Sequence, residues 1–396
     1  MSKAFTLDDI AFLTSDKAEK LLQKLTTEDL SDRNLINLIP KLRGTYSAEQ
    51  TSAAIETVKL RRKALDKFGD DAAKMLFTQD ALEQASDPQI REFRANYTPG
   101  AIVDLCCSIG TDTLAFARAG RNVKGIDIDP VRIAIARHNA QKLDYPLEFI
   151  IADVTKAQLP DADTVFFDPA RRDEYGKRIY DVDKYIPPLS LVRDLRRSYD
   201  LVISKLSPGI ETQQLEQYAG IVSFLSVNGD LKEAELTLSN SGSFTTAELF
   251  LPERIEPIVY YHAETVEATL TDTPAGWLNE PDPAIIRAGY VQHITNDCDG
   301  NMLDPTIAYF TTAGKPDSVW VRSWRILDWM PFNLKKLKAY LKQRNVGTVT
   351  VKKRGSPITP EELQAKLKLK GNNSLTVVLT RLHGNPIVII CEDYVP

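Results

Sequence analysis

The chain is predicted to form an α/β fold built on a parallel sheet, preceded by a helical segment and followed by a small α+β domain. Three observations predict this. From Ala101 onward, short apolar runs (AIVDLCC, VKGIDI, LEFIIADV, TVFFDP and DLVISKLS) alternate with helical stretches, which is the pattern of successive βαβ units. The residues before them carry helical spacing and helix-start signals. The residues after about 272 combine a lysine-rich amphipathic helix with β-rich runs. The expected domains are therefore 1–97, 98–272 and 273–396.

Taken in order, Ser47 and Gln50 form a capping box ahead of a helical run that reaches Phe68 and is followed by Gly69. Thr78, and Asp87 followed by Pro88, read as two further helix starts. After the five parallel strands, IVSFLSV and LKEAELTL flank Asn228-Gly229, the dipeptide of a tight hairpin, and FTTAELFL adds another strand. An antiparallel pair closing a parallel sheet is a common mixed arrangement. TPAGWLNEPDPA, with three prolines, reads as a linker. Beyond it, Asn333 caps a helix with Leu334, Leu337 and Leu341 on one face, and VGTVTVKKRG is a strand. Thr359, Pro360 and Glu362 open a last helix that Gly371 is expected to close, and LTVVLTRL and IVIICE flank a HGNP turn.

At 396 residues and 43% hydrophobic composition the chain can bury a large core. MSKAFTLDDIAFL lacks the basic and apolar regions of a secretory signal, and no run is apolar enough to span a bilayer, so a cytoplasmic protein without a membrane partner is expected. The four cysteines are adjacent (Cys106, Cys107) or isolated (Cys298, Cys391). With four histidines and neither CxxC nor HExxH, no metal site is expected. The net charge of −5 hides a basic end: residues 311–396 carry 15 Lys/Arg against 6 Asp/Glu. That asymmetry points to a polyanionic partner or to a solvated lysine surface.

The chemistry concentrates at the strand ends. Asp104-Leu105-Cys106-Cys107-Ser108-Ile109-Gly110-Thr111-Asp112 follows the first strand, where a nucleotide ligand requires small residues and a sharp turn. The GxGxxG fingerprint of dinucleotide binders is absent, and Cys106 and Ser108 stand where other binders carry glycine. Asp127, Asp153 and Asp168 each end a later strand. Asp127 is placed for two ribose hydroxyls and Asp153 for an adenine amino group, which together describe an adenosine ligand; turn-forming and capping roles are the alternative.

These residues resemble class I S-adenosylmethionine-dependent methyltransferases. VDLCCSIGTDTLAFA followed by GIDIDPVRIAIARHNA resembles the cap-type guanine-N2 RNA methyltransferases, and FFDPARR with the VKKRG stretch is similar to bacterial enzymes carrying a THUMP-like C-terminal domain. The resemblance implies a Rossmann-like seven-stranded methyltransferase sheet with S-adenosylmethionine as cofactor. It also implies a cofactor set of Asp104, Cys106, Ser108, Gly110, Thr111, Asp127, Ile128 and Asp153. Catalysis is then expected at Asp168, Pro169 and Arg171. Families that methylate exocyclic amines carry Asp or Asn followed by two prolines and an aromatic residue; here Asp168 stands first, Ala170 replaces the second proline and Arg171 the aromatic, so Tyr175 or Tyr180 would have to supply the ring. Arg171, Arg172, Lys177 and Arg178 form a basic loop in which Arg172 is a candidate for substrate phosphate. Lys205 and Ser207 end the fifth strand, with packing or catalysis both open.

The THUMP-like resemblance implies RNA binding, with Lys352, Lys353 and Arg354 as candidate phosphate contacts or, alternatively, as lysines guarding an edge strand. The expected function is methyl transfer to an RNA base by in-line displacement without a covalent enzyme intermediate. The competing readings are a methyltransferase for a small molecule or protein, and a non-catalytic RNA-binding protein with a Rossmann-like scaffold.

Overall fold

The computed structural model describes residues 4–171, 177 and 179–394. Six helices come first: α1 (Leu7–Leu13), α2 (Asp16–Thr26), α3 (Asp32–Leu42), α4 (Ala48–Phe68), α5 (Gln79–Gln84) and α6 (Pro88–Tyr97). The predicted caps are in place. Ser47 and Gln50 close a reciprocal capping box on α4, and Thr78 and Asp87 accept from the first turns of α5 and α6.

The sheet follows as β1 (Ile102–Leu105), α7 (Thr111–Arg118), β2 (Val123–Asp127), α8 (Pro130–Lys142), β3 (Glu148–Ile151), β4 (Thr164–Phe167), α9 (Val192–Ser198) and β5 (Leu201–Leu206), then β6 (Ile221–Val227), β7 (Asp230–Leu238), β8 (Phe244–Phe250) and β9 (Ile258–Tyr260). Its order is β3-β2-β1-β4-β5-β7-β6-β8-β9. The first five strands are parallel, and β7 enters antiparallel beside β5. Asn228 and Gly229, both with positive φ (52° and 80°), turn β6 into β7. Seven strands were expected. Among the described residues the sheet has nine, because β8 and β9 extend it beyond β6.

The remaining elements are β10 (Trp277–Pro281), α10 (Pro283–Ala288), α11 (Val291–Asp297), β11 (Asn301–Asp304), β12 (Ile307–Thr312), β13 (Val321–Pro331), α12 (Leu334–Gln343), β14 (Val346–Lys353), α13 (Pro360–Leu367), β15 (Asn373–Leu382) and β16 (Asn385–Cys391). They form a seven-stranded sheet ordered β11-β12-β10-β13-β16-β15-β14, in which β14 runs parallel to β15. Leu337, Leu341, Leu363 and Leu367 of α12 and α13 pack on Val377 and Leu379, while the intervening Val378 joins the core of the opposite face.

TPAGWLNEPDPA is not a linker. It contains β10 and the start of α10, because Pro281 ends the strand and Pro283 occupies the first turn of the helix capped by Asp282, positions that need no N–H donor. Gly371 does not close α13 either. Lys368, in left-handed conformation, does so, and Gly371 instead brings the backbone against Asn345.

By internal contacts the chain divides into two compact units. One is Met1–Leu225 with Lys232–Phe244 and Pro252–Glu256; the other is Ser226–Leu231, Thr245–Leu251 and Pro257–Pro396. Within the first unit the N-terminal helices share a core with α7, α8 and β3, including Leu60, Phe77, Ile109, Ile133 and Phe149. Asn139 of α8 fastens this junction. Its side chain accepts from Leu76 N at 2.7 Å and donates to the carbonyls of Leu76 and Ile109.

Burial, with Lys142 and Arg61 nearby, pulls the imidazole of the adjacent His138 down to about 4. The folded value lies below the unfolded 6.5, so the stability that the neutral ring contributes is complete above that pH and is lost as pH falls towards 4. The expected loss is about 2–3 kcal/mol across this window, from about 1.4 kcal/mol per pKa unit. His138→Gln should flatten the dependence. Thermal melts at successive pH values measure it, and identical slopes for the two proteins would contradict the assignment.

Candidate active site

A cavity of ≈ 440 Å³ opens at the carboxyl ends of β1, β2, β3 and β4 in the first unit. The loop from β1 to α7 forms its floor. Cys106, Ser108 and Gly110 are all left-handed, with φ of 62°, 52° and 78°. A side chain in this region costs about 1–2 kcal/mol, and here the cost is offset by local hydrogen bonds. Cys107 N donates to Ile126 O at 3.0 Å, Gly110 N to Cys107 O at 2.8 Å and Ser108 N to Asp127 Oδ2 at 2.9 Å. A Cβ on Gly110 would also press within 3.1 Å of the Phe149 ring. The backbone therefore follows a glycine-type path that two small residues tolerate. Burial pushes both cysteine thiols well above their ordinary value, which leaves them protonated and structural.

Asp104, Cys106, Ser108, Thr111, Asp127, Ile128, Asp153 and Asp168 all line this one cavity. Asp127 is buried, and its two oxygens accept from Ser108 N and Asp129 N, each at 2.9 Å. Each oxygen keeps a second lone pair, so the carboxylate can still accept from a diol. Ile128 beside it is 65% exposed, an apolar surface at the cavity mouth. Asp153 makes the turn after β3, accepting from the backbone and hydroxyl of Thr155 and pairing with Lys156 at 2.7 Å. Those bonds, Lys156 first, draw its carboxyl down to about 2. Asp104 is buried and accepts from the Thr113 hydroxyl, and burial, reinforced by Asp112, pushes its carboxyl well up.

Asp168 follows β4. Its Oδ2 accepts at 2.9 Å from Lys205, an ammonium that is 2% exposed and also donates to Gln84 O at 2.8 Å. Ala170 lines the cavity, whereas Pro169 and Arg171 do not. Arg172, Tyr175 and Arg178 lie outside the described residues. Tyr180 lines a separate surface depression with Asp181 and Gln214. Among the described residues two aromatic side chains line the cavity, Phe166 of β4 and Tyr185, and sequence reasoning missed Tyr185 along with Ile186, Pro187 and Pro188. The chain returns there because Ala170 and Ile186 exchange both backbone hydrogen bonds, at 2.9 and 3.1 Å. The run YIPP was the available signal, but it sits beyond the loop where an aromatic was sought. Ser207 Oγ accepts weakly from Gly209 N, a turn role.

Beneath the cavity lies a second missed group. Arg94 of α6 is buried and bonds Asp112 at 2.8 Å, Glu235 at 2.7 Å through Nε, and Glu233. Burial alone would lower the guanidinium's pKa; the carboxylates of Glu233, Glu235 and Asp112 outweigh it and raise it. Against burial, Arg94 likewise holds Asp112 below its ordinary value.

In the second unit, Lys352 pairs with Glu280 at 2.5 Å over the Trp324 ring, and Arg354 reaches the same carboxylate at 3.2 Å, whereas Lys353 is exposed. Among the described residues no group of three His, Cys, Asp or Glu side chains could hold a metal ion, and no helix is long and apolar enough to cross a membrane.

Residues 102–170 match the model of a methyltransferase domain, 321–393 that of a THUMP domain-like domain, and 6–64 that of a domain of unknown function. The chain is 32% identical over 338 residues to an uncharacterized S-adenosylmethionine-dependent methyltransferase of Mycobacterium tuberculosis, present in strains CDC 1551 and H37Rv. That similarity covers 83% of this chain and 92% of the relative. The crystal structure of a candidate methyltransferase from Porphyromonas gingivalis W83 aligns with a TM-score of 0.76 at 19% identity, over 99% of this chain and 100% of that one. At that identity the likeness bears on the fold alone.

Proposed function

The chain belongs to the S-adenosylmethionine-dependent methyltransferases, and we propose from that premise that it methylates an exocyclic amine of an RNA base in the cytoplasm. In this reading residues 98–272 are catalytic, 1–97 form a helical domain and 273–396 a THUMP-like domain contributing RNA affinity. The exocyclic acceptor accords with the guanine-N2 enzymes that the central motifs resemble.

One observation carries the proposal: Asp168, directly after β4, lines the cavity that Asp127 and Asp153 also line, with Lys205 fixing one of its oxygens. Asp127 would accept from the ribose hydroxyls and Ile128 would cover the adenine face, with Asp153 at the adenine edge and Asp104, Cys106, Ser108, Gly110 and Thr111 shaping the amino-acid end. The bound cofactor supplies an electrophilic methyl on sulfur. Asp168 would accept the hydrogens of the acceptor amine and aim its lone pair at that methyl, so that catalysis is mainly positioning. Pro169 would keep the turn stiff, and Arg171 and Arg172 would meet substrate phosphate. The basic residues of 311–396, Lys353 among them, would add sequence-independent affinity.

The test is label transfer from methyl-labelled S-adenosylmethionine to extract from a strain lacking the gene. Label removed by ribonuclease is expected; label that survives it would indicate a protein or small-molecule acceptor. Asp127→Ala should abolish the signal and weaken S-adenosylhomocysteine binding at least about 30-fold, since hydrogen bonds to a charged group contribute about 1.5–3 kcal/mol each. Unchanged affinity by calorimetry would remove Asp127 from the cofactor site.

A further inference from the structure

Asp168-Pro169-Ala170-Arg171 lacks the second proline and the aromatic residue that would complete an amine-methylating turn, yet the cavity holds both. Tyr185, Ile186, Pro187 and Pro188 line it together with Asp168 and Ala170. The two backbone bonds between Ala170 and Ile186 hold this second segment alongside the first. Tyr185 is 2% exposed and walls the cavity, whereas Ile186 next to it is 60% exposed. Val182 and Leu189 on either side are buried, so Ile186 and the two half-buried prolines make an apolar step held in place from behind.

We propose that Tyr185–Pro188 is the acceptor shelf, on which a planar nucleobase lies with an exocyclic amine directed at Asp168. This rests on the reading above that the acceptor is a nucleobase. Three features select that ligand. The prolines have no N–H, so the shelf offers a flat hydrocarbon surface on which a ring can stack. Ile186, 60% exposed, would be covered by the ring. Lys205 occupies Asp168 Oδ2, and the carboxylate can only accept, so a ligand edge placed against Oδ1 must present a hydrogen-bond donor. A base with an amino group at its edge satisfies that requirement. Uracil turns carbonyl oxygens towards the carboxylate on both sides of its single N–H and is rejected.

The test uses the full chain saturated with S-adenosylhomocysteine and titrated with the monophosphates of adenosine, guanosine, cytidine and uridine. At least one amine-bearing nucleotide is expected to bind about fivefold or more tighter than uridine monophosphate. Ile186→Asp should weaken it about tenfold while leaving S-adenosylhomocysteine affinity and the melting temperature near wild type, because the position is exposed. Ile186→Ala, a milder change, should give an intermediate loss. Equal affinity for uridine monophosphate, no binding of any of the four at about 10 mM, or insensitivity to Ile186→Asp would each overturn the shelf. Labelling of a ribonuclease-resistant acceptor by the wild type would instead overturn the RNA reading, so the two failures are told apart.

Discussion

Asp168→Ala is expected to lower the rate of methyl transfer at least about 1000-fold while S-adenosylhomocysteine affinity stays within about threefold. Misplacing a reacting group by about 1 Å already costs about 100-fold, and the alanine variant has no acceptor left to fix the amine. It also leaves the Lys205 ammonium, 2% exposed, with Gln84 O as its remaining partner among these bonds, so some loss of stability should accompany it. Asp168→Asn separates the two effects. Its amide oxygen can still accept from Lys205, while its NH₂ presents donors to a donor. The asparagine variant should therefore melt near wild type and remain inactive. Single-turnover transfer with saturating cofactor, measured beside calorimetric affinity, is the check. An active asparagine variant would show that the amine is held elsewhere.

Arg94→Met should cost about 3–5 kcal/mol, the range for removing one partner from a buried ionic group. Arg94 is the shared partner of Asp112, Glu233 and Glu235 beneath the cavity, and its guanidinium also lies 4.7 Å from the Phe166 ring. Methionine fills the volume but leaves three carboxylates facing one another. Without Arg94, which lowers both, burial would raise the Asp112 and Glu233 carboxyls, so the deficit relative to wild type should be largest near neutral pH and shrink as pH falls towards 4. Equilibrium denaturation at pH 7 and pH 5 measures it. A deficit below about 1 kcal/mol, or one independent of pH, would mean that the network contributes little.

The Arg94 network illustrates what could not be read along the chain. Arg94 belongs to a helix start that was identified, and Glu235 to a strand that was identified, but nothing in either segment says that the two meet. Their partnership follows from β7 inserting beside β5, which sets Glu235 opposite Lys205 in register. The cavity divides the same way. Asp104, Asp127 and Asp168 were legible because a carboxylate directly after a short apolar run lies at the carboxyl end of a parallel strand, where the sheet opens. Left-handed backbone at Cys106 and Ser108 agrees with their standing in glycine positions. Tyr185 was missed because proximity in sequence favoured Tyr175 or Tyr180, whereas the bridge between Ala170 and Ile186 brings in a later segment. The linker reading of TPAGWLNEPDPA failed because proline signals a missing donor, and a strand end or first helical turn satisfies that as well as a loop does.

The sequence by itself determined the parallel α/β core, the hairpin at Asn228-Gly229, the helix caps and the acids at the strand ends. Each of these depends on periodicity or on hydrogen bonds within a few residues. Only the tertiary structure decided that the sheet extends to nine strands, that Lys205 holds Asp168, that Arg94 joins three distant carboxylates and that Tyr185–Pro188 completes the cavity. Those pairings are set by strand order and register, which local propensity does not encode.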